Sequence, residues 1–112
     1  MDLARMKCKP CEGGAKPFDR ETSEEYLAHV DGWKLAEDGK RISKRYTFRN
    51  FKQALDFVNR VGALAEDEGH HPDINFTWGR VDIALSTHAI SGLSENDFIL
   101  AYKIDYLPRG NA

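Results

Sequence analysis

The spacing of apolar residues switches between helical and strand periods along the chain, and each switch marks an element boundary. Thr22-Ser23-Glu24-Glu25 reads as a capping box and predicts a short helix to about Val30, closed by Gly32. Trp33 to Glu37 and Arg41 to Phe48 then read as a hairpin across Asp38-Gly39, with Ile42, Tyr46 and Phe48 on one face and Arg41, Ser43 and Arg45 on the other. Asn50 is a good N-cap for the longest periodic segment, in which Phe51, Ala54, Leu55, Val58, Val61, Gly62 and Ala65 form the apolar stripe. Lys52, Asp56, Arg60, Asp67 and Glu68 lie opposite, and Gly69 ends the helix. Ile74, Phe76 and Trp78, then Val81, Ile83 and Leu85, alternate with polar or small residues and predict a second hairpin turning near Gly79-Arg80. Ser94-Glu95-Asn96-Asp97 opens a final helix running to about Leu107.

The order α-β-β-α-β-β-α predicts an α+β domain, a four-stranded antiparallel sheet with helices packed on one face. An apolar surface or edge strand left uncovered predicts self-association. Residues 1–21 read as an irregular leader, and residues 22–112 as the folded domain. The leader carries both cysteines in Cys8-Lys9-Pro10-Cys11, which reads as an incidental or weakly structural thiol pair, with metal bridging between subunits as the alternative.

A chain of 112 residues, 41% apolar and 30% charged, is sized and balanced for one compact soluble domain. Its net charge of -2 gives no reason to expect nucleic acid as a partner. No apolar run approaches the roughly 18 residues of a membrane span, and the N-terminus lacks a signal peptide's apolar stretch, so no membrane association and a cytoplasmic location are expected.

Candidate chemistry sits where the long helix stops. Three of the four histidines, His70, His71 and His88, fall close together in sequence, and Pro72 forces His71 off helical geometry into an extended path. Imidazole titrates near neutrality, so the cluster points to proton transfer. Adjacent histidines on an extended backbone point apart and lack the i, i+4 spacing of zinc hydrolases, which argues against a metal site. His29 reads as a surface residue or a favourable charge at a helix C-terminus. Glu66 is either a solvated acid or a site residue; Asp97 an N-terminal helix acid or a pocket group; Trp78 a core aromatic or a pocket wall.

Glu66, His70, His71, Pro72, Trp78, His88 and Asp97 stand in the order of a known motif: an acid, three residues, His-His-Pro, an aromatic, a distant His and an Asp. With Gly32-Trp33, Phe57-Val58-Asn59-Arg60-Val61, Ser86-Thr87-His88 and Gly92 to Phe98, the chain closely resembles the pterin-4a-carbinolamine dehydratase family over nearly everything after the leader. The leader itself resembles that of bacterial members. The resemblance implies a hydro-lyase that takes water from 4a-hydroxytetrahydrobiopterin to give quinonoid dihydropterin, working beside an aromatic amino acid hydroxylase, with no metal or organic cofactor.

It also implies that His70, His71 and His88 carry catalysis, with His71 and His88 nearest the reacting hydroxyl and N5. Glu66 would bind the donor-rich pyrimidine edge, Asp97 would orient a histidine, and Trp78, Ser86 and Thr87 would contact the ring. A homodimer or homotetramer is implied as well. Some relatives carry an acid where this chain has Gly69, so any binding role of that acid is lost here. Animal members double as transcription-factor dimerisation partners and some microbial ones serve elsewhere, for example in molybdopterin-related metabolism, which leaves a protein-binding module or such a role as alternatives on the same fold.

Overall fold

The structure is a computed structural model that describes residues 1–10 and 15–109. Cys11, half of the expected thiol pair, lies outside the described residues; Cys8 is a free, half-buried thiol. Helices α1 (Arg20–Leu27), α2 (Phe51–Glu68) and α3 (Glu95–Asp105) accompany strands β1 (Lys34–Leu35), β2 (Ile42–Thr47), β3 (Asp73–Thr77) and β4 (Arg80–Leu85). The strands form one antiparallel sheet in the order β1-β2-β4-β3, so the α+β expectation holds. Among the described residues no helix is long and apolar enough to cross a membrane.

Strand parity sorts the sheet faces as the sequence predicted. Ile42, Tyr46, Val81, Ile83 and Leu85 are buried on the helix side, whereas Ser43, Arg45, Asp73, Asn75 and Thr77 face out. Alternation alone leaves pairing open, and β2 pairs with β4, placing Ile42 opposite Leu85 and Tyr46 opposite Val81. The second hairpin turns at Trp78-Gly79, one position earlier than expected, because Thr77 pairs with Arg80. Trp78 is thereby left 63% exposed at the turn and is no core aromatic.

Three further expectations change. Helix α1 begins at Arg20, and its cap is Asp19, whose carboxylate accepts the Thr22 N–H at 2.8 Å, so the Thr22–Glu25 capping box does not form. A carboxylate placed before the helix serves the same N–H groups, and Phe18 N–H donating to the Leu93 carbonyl at 2.8 Å fixes where the helix can start. Strand β1 is shorter than Trp33–Glu37, since the chain folds into a turn at once, with Gly39 at a φ of 72°. Trp33 instead turns inward, and its indole N–H donates to Asp105 at 3.1 Å.

The third change concerns which stripe of α2 is buried. Asn50 caps it through Gln53 N–H and Gly69 closes it at a φ of 67°, both as expected. The core face, however, is Ala54, Phe57, Val61, Ala65 and Glu68, while Phe51 and Leu55 stay exposed. Phe57 decides the rotation, since its ring packs between Tyr46 and Phe48 at centroid distances of 4.7 and 5.2 Å. Phe57→Ala is therefore expected to cost about 3–5 kcal/mol in urea unfolding, and Phe51→Ala well under half of that. Equal losses would contradict this rotation of the helix.

Candidate active site

Gly69 supplies the left-handed backbone that ends α2, and both its N–H and that of His70 return to the Ala65 carbonyl. The chain reverses there. His70 is turned inward with its side chain 11% exposed, and Pro72 then leads the extended backbone into β3.

His70 Nε2 lies 2.6 Å from Oδ1 of Asp97, whose carboxylate is fully buried. The other oxygen, Oδ2, accepts the Thr87 hydroxyl at 2.8 Å and the Ser94 N–H at 3.0 Å. Ser94 completes the set: Thr87 gives its one hydroxyl proton to Asp97, so the Ser94 hydroxyl donates to Thr87 Oγ1, 2.7 Å away, while accepting the Asp97 N–H in the capping box. Every donor direction is then fixed by elimination. An ionised carboxylate only accepts, so His70 donates from Nε2.

His71 takes the opposite environment. Its Nε2 is hydrogen-bonded to Glu66 Oε2, with the two side chains 61% and 78% exposed. A pair so open to water is held weakly, so a ligand can displace it at little cost.

His88 is exposed in a short 3-10 turn, His88–Ile90, that follows β4. It lines a cavity of about 600 Å³ with Ser86, Glu37, Asp38, Lys40 and Arg41. That volume suits a bicyclic small molecule. Asp73 sits opposite Ala84 and Ile42 opposite Leu85, so residues 70–72, residues 86–88 and Arg41 reach the same end of the sheet. Thr87 locks this arrangement, pointing inward to Asp97 between two outward neighbours, Ser86 and His88.

Of the expected site residues, His70, His71, His88, Glu66, Ser86, Thr87 and Asp97 lie toward one end of the molecule, and of these Ser86 and His88 line the cavity. Trp78 is the exception. It stands past the far end of β3, about 16 Å along the strand at 3.3 Å per residue, so within one chain it does not join the histidines. Sequence reading missed Lys40 and Arg41 as cavity residues and Ser94 as a relay to Thr87. Only the sheet register could have placed the first two, whereas Ser94 was already visible as a cap. No group of three or more His, Cys, Asp or Glu among the described residues is placed to hold a metal ion.

A protein of Azoarcus sp. (strain BH72), assigned as a pterin-4-alpha-carbinolamine dehydratase, is 49% identical over 106 residues, covering 95% of this chain and 91% of that protein. One of Halorhodospira halophila, assigned alike, is 50% identical over 107 residues, covering 96% and 98%. These are hydro-lyases by name. The family model described as pterin 4 alpha carbinolamine dehydratase matches residues 16–107, and the chain belongs to that family.

Solved structures agree. A transcriptional coactivator/pterin dehydratase from Brucella melitensis superimposes with a TM-score of 0.76 at 29% identity, over 80% of this chain and 96% of that one. A pterin dehydratase-like RuBisCO assembly factor of the alpha-carboxysome gives 0.58 at 28% identity, over 69% and 89%.

Because Asp97 depends on few donors, Thr87→Val is expected to destabilise the fold by about 1–3 kcal/mol through loss of a buried charge-assisted bond. Thermal or urea unfolding measures this, and an unchanged midpoint would mean that Asp97 does not need the hydroxyl.

Proposed function

We propose that the protein is a 4a-hydroxytetrahydrobiopterin dehydratase that restores the spent pterin cofactor of an aromatic amino acid hydroxylase. The observation that supports this reading is that the segments carrying Asp97-held His70, exposed His71 and cavity-lining His88 all reach one end of the sheet. In the reaction the C4a–O bond breaks, the departing hydroxyl takes a proton to leave as water, and the N5–H electron pair forms the C4a=N5 double bond as that proton is removed. One imidazolium and one neutral imidazole meet both demands near neutral pH.

His71 and His88 are the pair assigned to the hydroxyl and N5, since both are open to solvent. His70 flanks them, its Nδ1 available because Asp97 holds Nε2. Glu66, paired among the described residues with exposed His71, can turn its carboxylate to the amino-pyrimidine edge, where both donors need an acceptor. Ser86 offers a hydroxyl from the cavity wall. Thr87 is assigned a supporting role through Asp97 in place of direct contact with the ring, because it is buried.

Exposed Phe51, Leu55 and Trp78, with the Phe51 and Phe76 rings stacked at 5.6 Å, support self-association through α2 and the β3 edge as a homodimer or homotetramer. Light scattering is expected to give two or four chains per particle, and a lone monomer would remove this part of the reading.

His71→Ala and His88→Ala are each expected to slow dehydration of synthetic 4a-carbinolamine by roughly a hundred-fold or more, without lowering the melting temperature, as positioned acid–base groups do. Stopped-flow absorbance reads the reaction directly. Wild-type rates in both folded variants would sink the assigned roles.

A further inference from the structure

Segment Leu3–Lys9 precedes residues 16–107, which the family model matches, and the catalytic reading gives it no task. It is nonetheless tied down at four points. Leu3 sits in the core at 3% exposure, in a 3-10 turn over Leu3–Arg5. Cys8 N–H donates to Glu68 Oε1 at 2.9 Å, and the Cys8 thiol lies 3.5 Å from the Asn96 carbonyl oxygen. Lys9 is held from both sides by one amide, its N–H donating to Asn96 Oδ1 at 2.9 Å while Asn96 Nδ2 donates to the Lys9 carbonyl at 2.6 Å.

The two receiving residues are not scattered over the surface. Glu68 is the last residue of α2, two before His70, and Asn96 stands in the first turn of α3, directly before Asp97. The His70–Asp97 bond spans the same gap between the two helix ends. Leader, α2 terminus and α3 start therefore form one closed loop of contacts around that bond.

We propose that Leu3–Lys9 is a strap that fixes the His70 ring against Asp97, with Asn96 as the positioning residue through which it acts. The inference rests on the dehydratase reading for its rate measurement, though not for its spectroscopic one.

Burial supports the clamp's rigidity. Glu68 is held below the usual carboxylate range even though burial acts to raise it, because the Lys103 ammonium 2.8 Å away and the Cys8 N–H outweigh that effect. Its charge, and hence its grip on Cys8, persists across neutral pH. The Cys8 thiol is pushed up to about 12, first by burial and then by Glu68, so it remains a protonated donor beside the Asn96 carbonyl.

Two substitutions in the full-length chain test the strap. Asn96→Ala removes the amide, and Lys9→Pro removes one N–H from an exposed position already restricted by Pro10. Each is expected to lower kcat about ten-fold with KM changed by less than about two-fold, as small misplacements of proton-transfer groups do. Each is also expected to move the His70 Nε2 resonance in 15N NMR spectra. The double variant is expected to be no slower than the slower single one, because both act on the same contact.

An Asn96→Ala protein with wild-type kcat and an unmoved His70 signal would overturn the strap, as would single losses that multiply in the double variant. Should the wild-type chain itself leave the carbinolamine untouched, the dehydratase reading falls, and the His70 signal in the Asn96→Ala and Lys9→Pro proteins still decides the strap.

Discussion

A carboxylate with no exposure to water must have its charge answered within the protein, and the answer given to Asp97 organises the functional end of this molecule. Its partners come from three places in the chain: Ser94 in its own cap, Thr87 after β4 and His70 after α2. Breaking any one leaves a buried charge short of a donor. The same satisfaction that makes the fold tolerable therefore holds His70 through Nε2, joins the two histidine-bearing segments and faces Ser86 and His88 outward. Stability and site geometry are one arrangement here.

The two acid–histidine pairs show what environment does to identical chemistry. Asp97 and His70 are shut away from water and fixed, while Glu66 and His71 are open and weakly held. In the proposed dehydration, which needs both a steered ring and proton exchange with a departing water, one of each would serve. The buried pair supplies fixed direction, and the exposed pair can rearrange around a ligand. The distant resemblance to a RuBisCO assembly factor shows that this scaffold also serves protein assembly in other chains, so the chemistry has to be argued from these side chains and not from the fold.

Local pattern made much of this legible. Asn50, Gly69 and the Ser94 capping box mark helix ends through bonds that span only a few residues, and their geometry follows from residue type. Strand parity likewise put Ile42, Tyr46 and Leu85 inside. The stripe on α2 was misread because Phe51 and Leu55 are as apolar as Phe57, and only the pocket between Tyr46 and Phe48 selects among them. Glu68 reads as part of the polar face of α2 for a similar reason. Nothing local announces that Lys103 and the leader will cover it.

The sequence by itself determined the element order, the faces of the strands, the placing of two histidines at a helix-to-strand break, and a motif specific enough to name the family. Tertiary structure alone decided that β2 would lie beside β4, that Asp97 would be buried while Glu66 stayed in water, that Trp78 would stand at the wrong end of its strand to meet the histidines, and that the leader would close over α2 and α3. The physical reason is range. Caps, turns and periodicities are settled among neighbours, whereas the burial of a charge and the partner of a strand depend on groups brought together from distant parts of the chain.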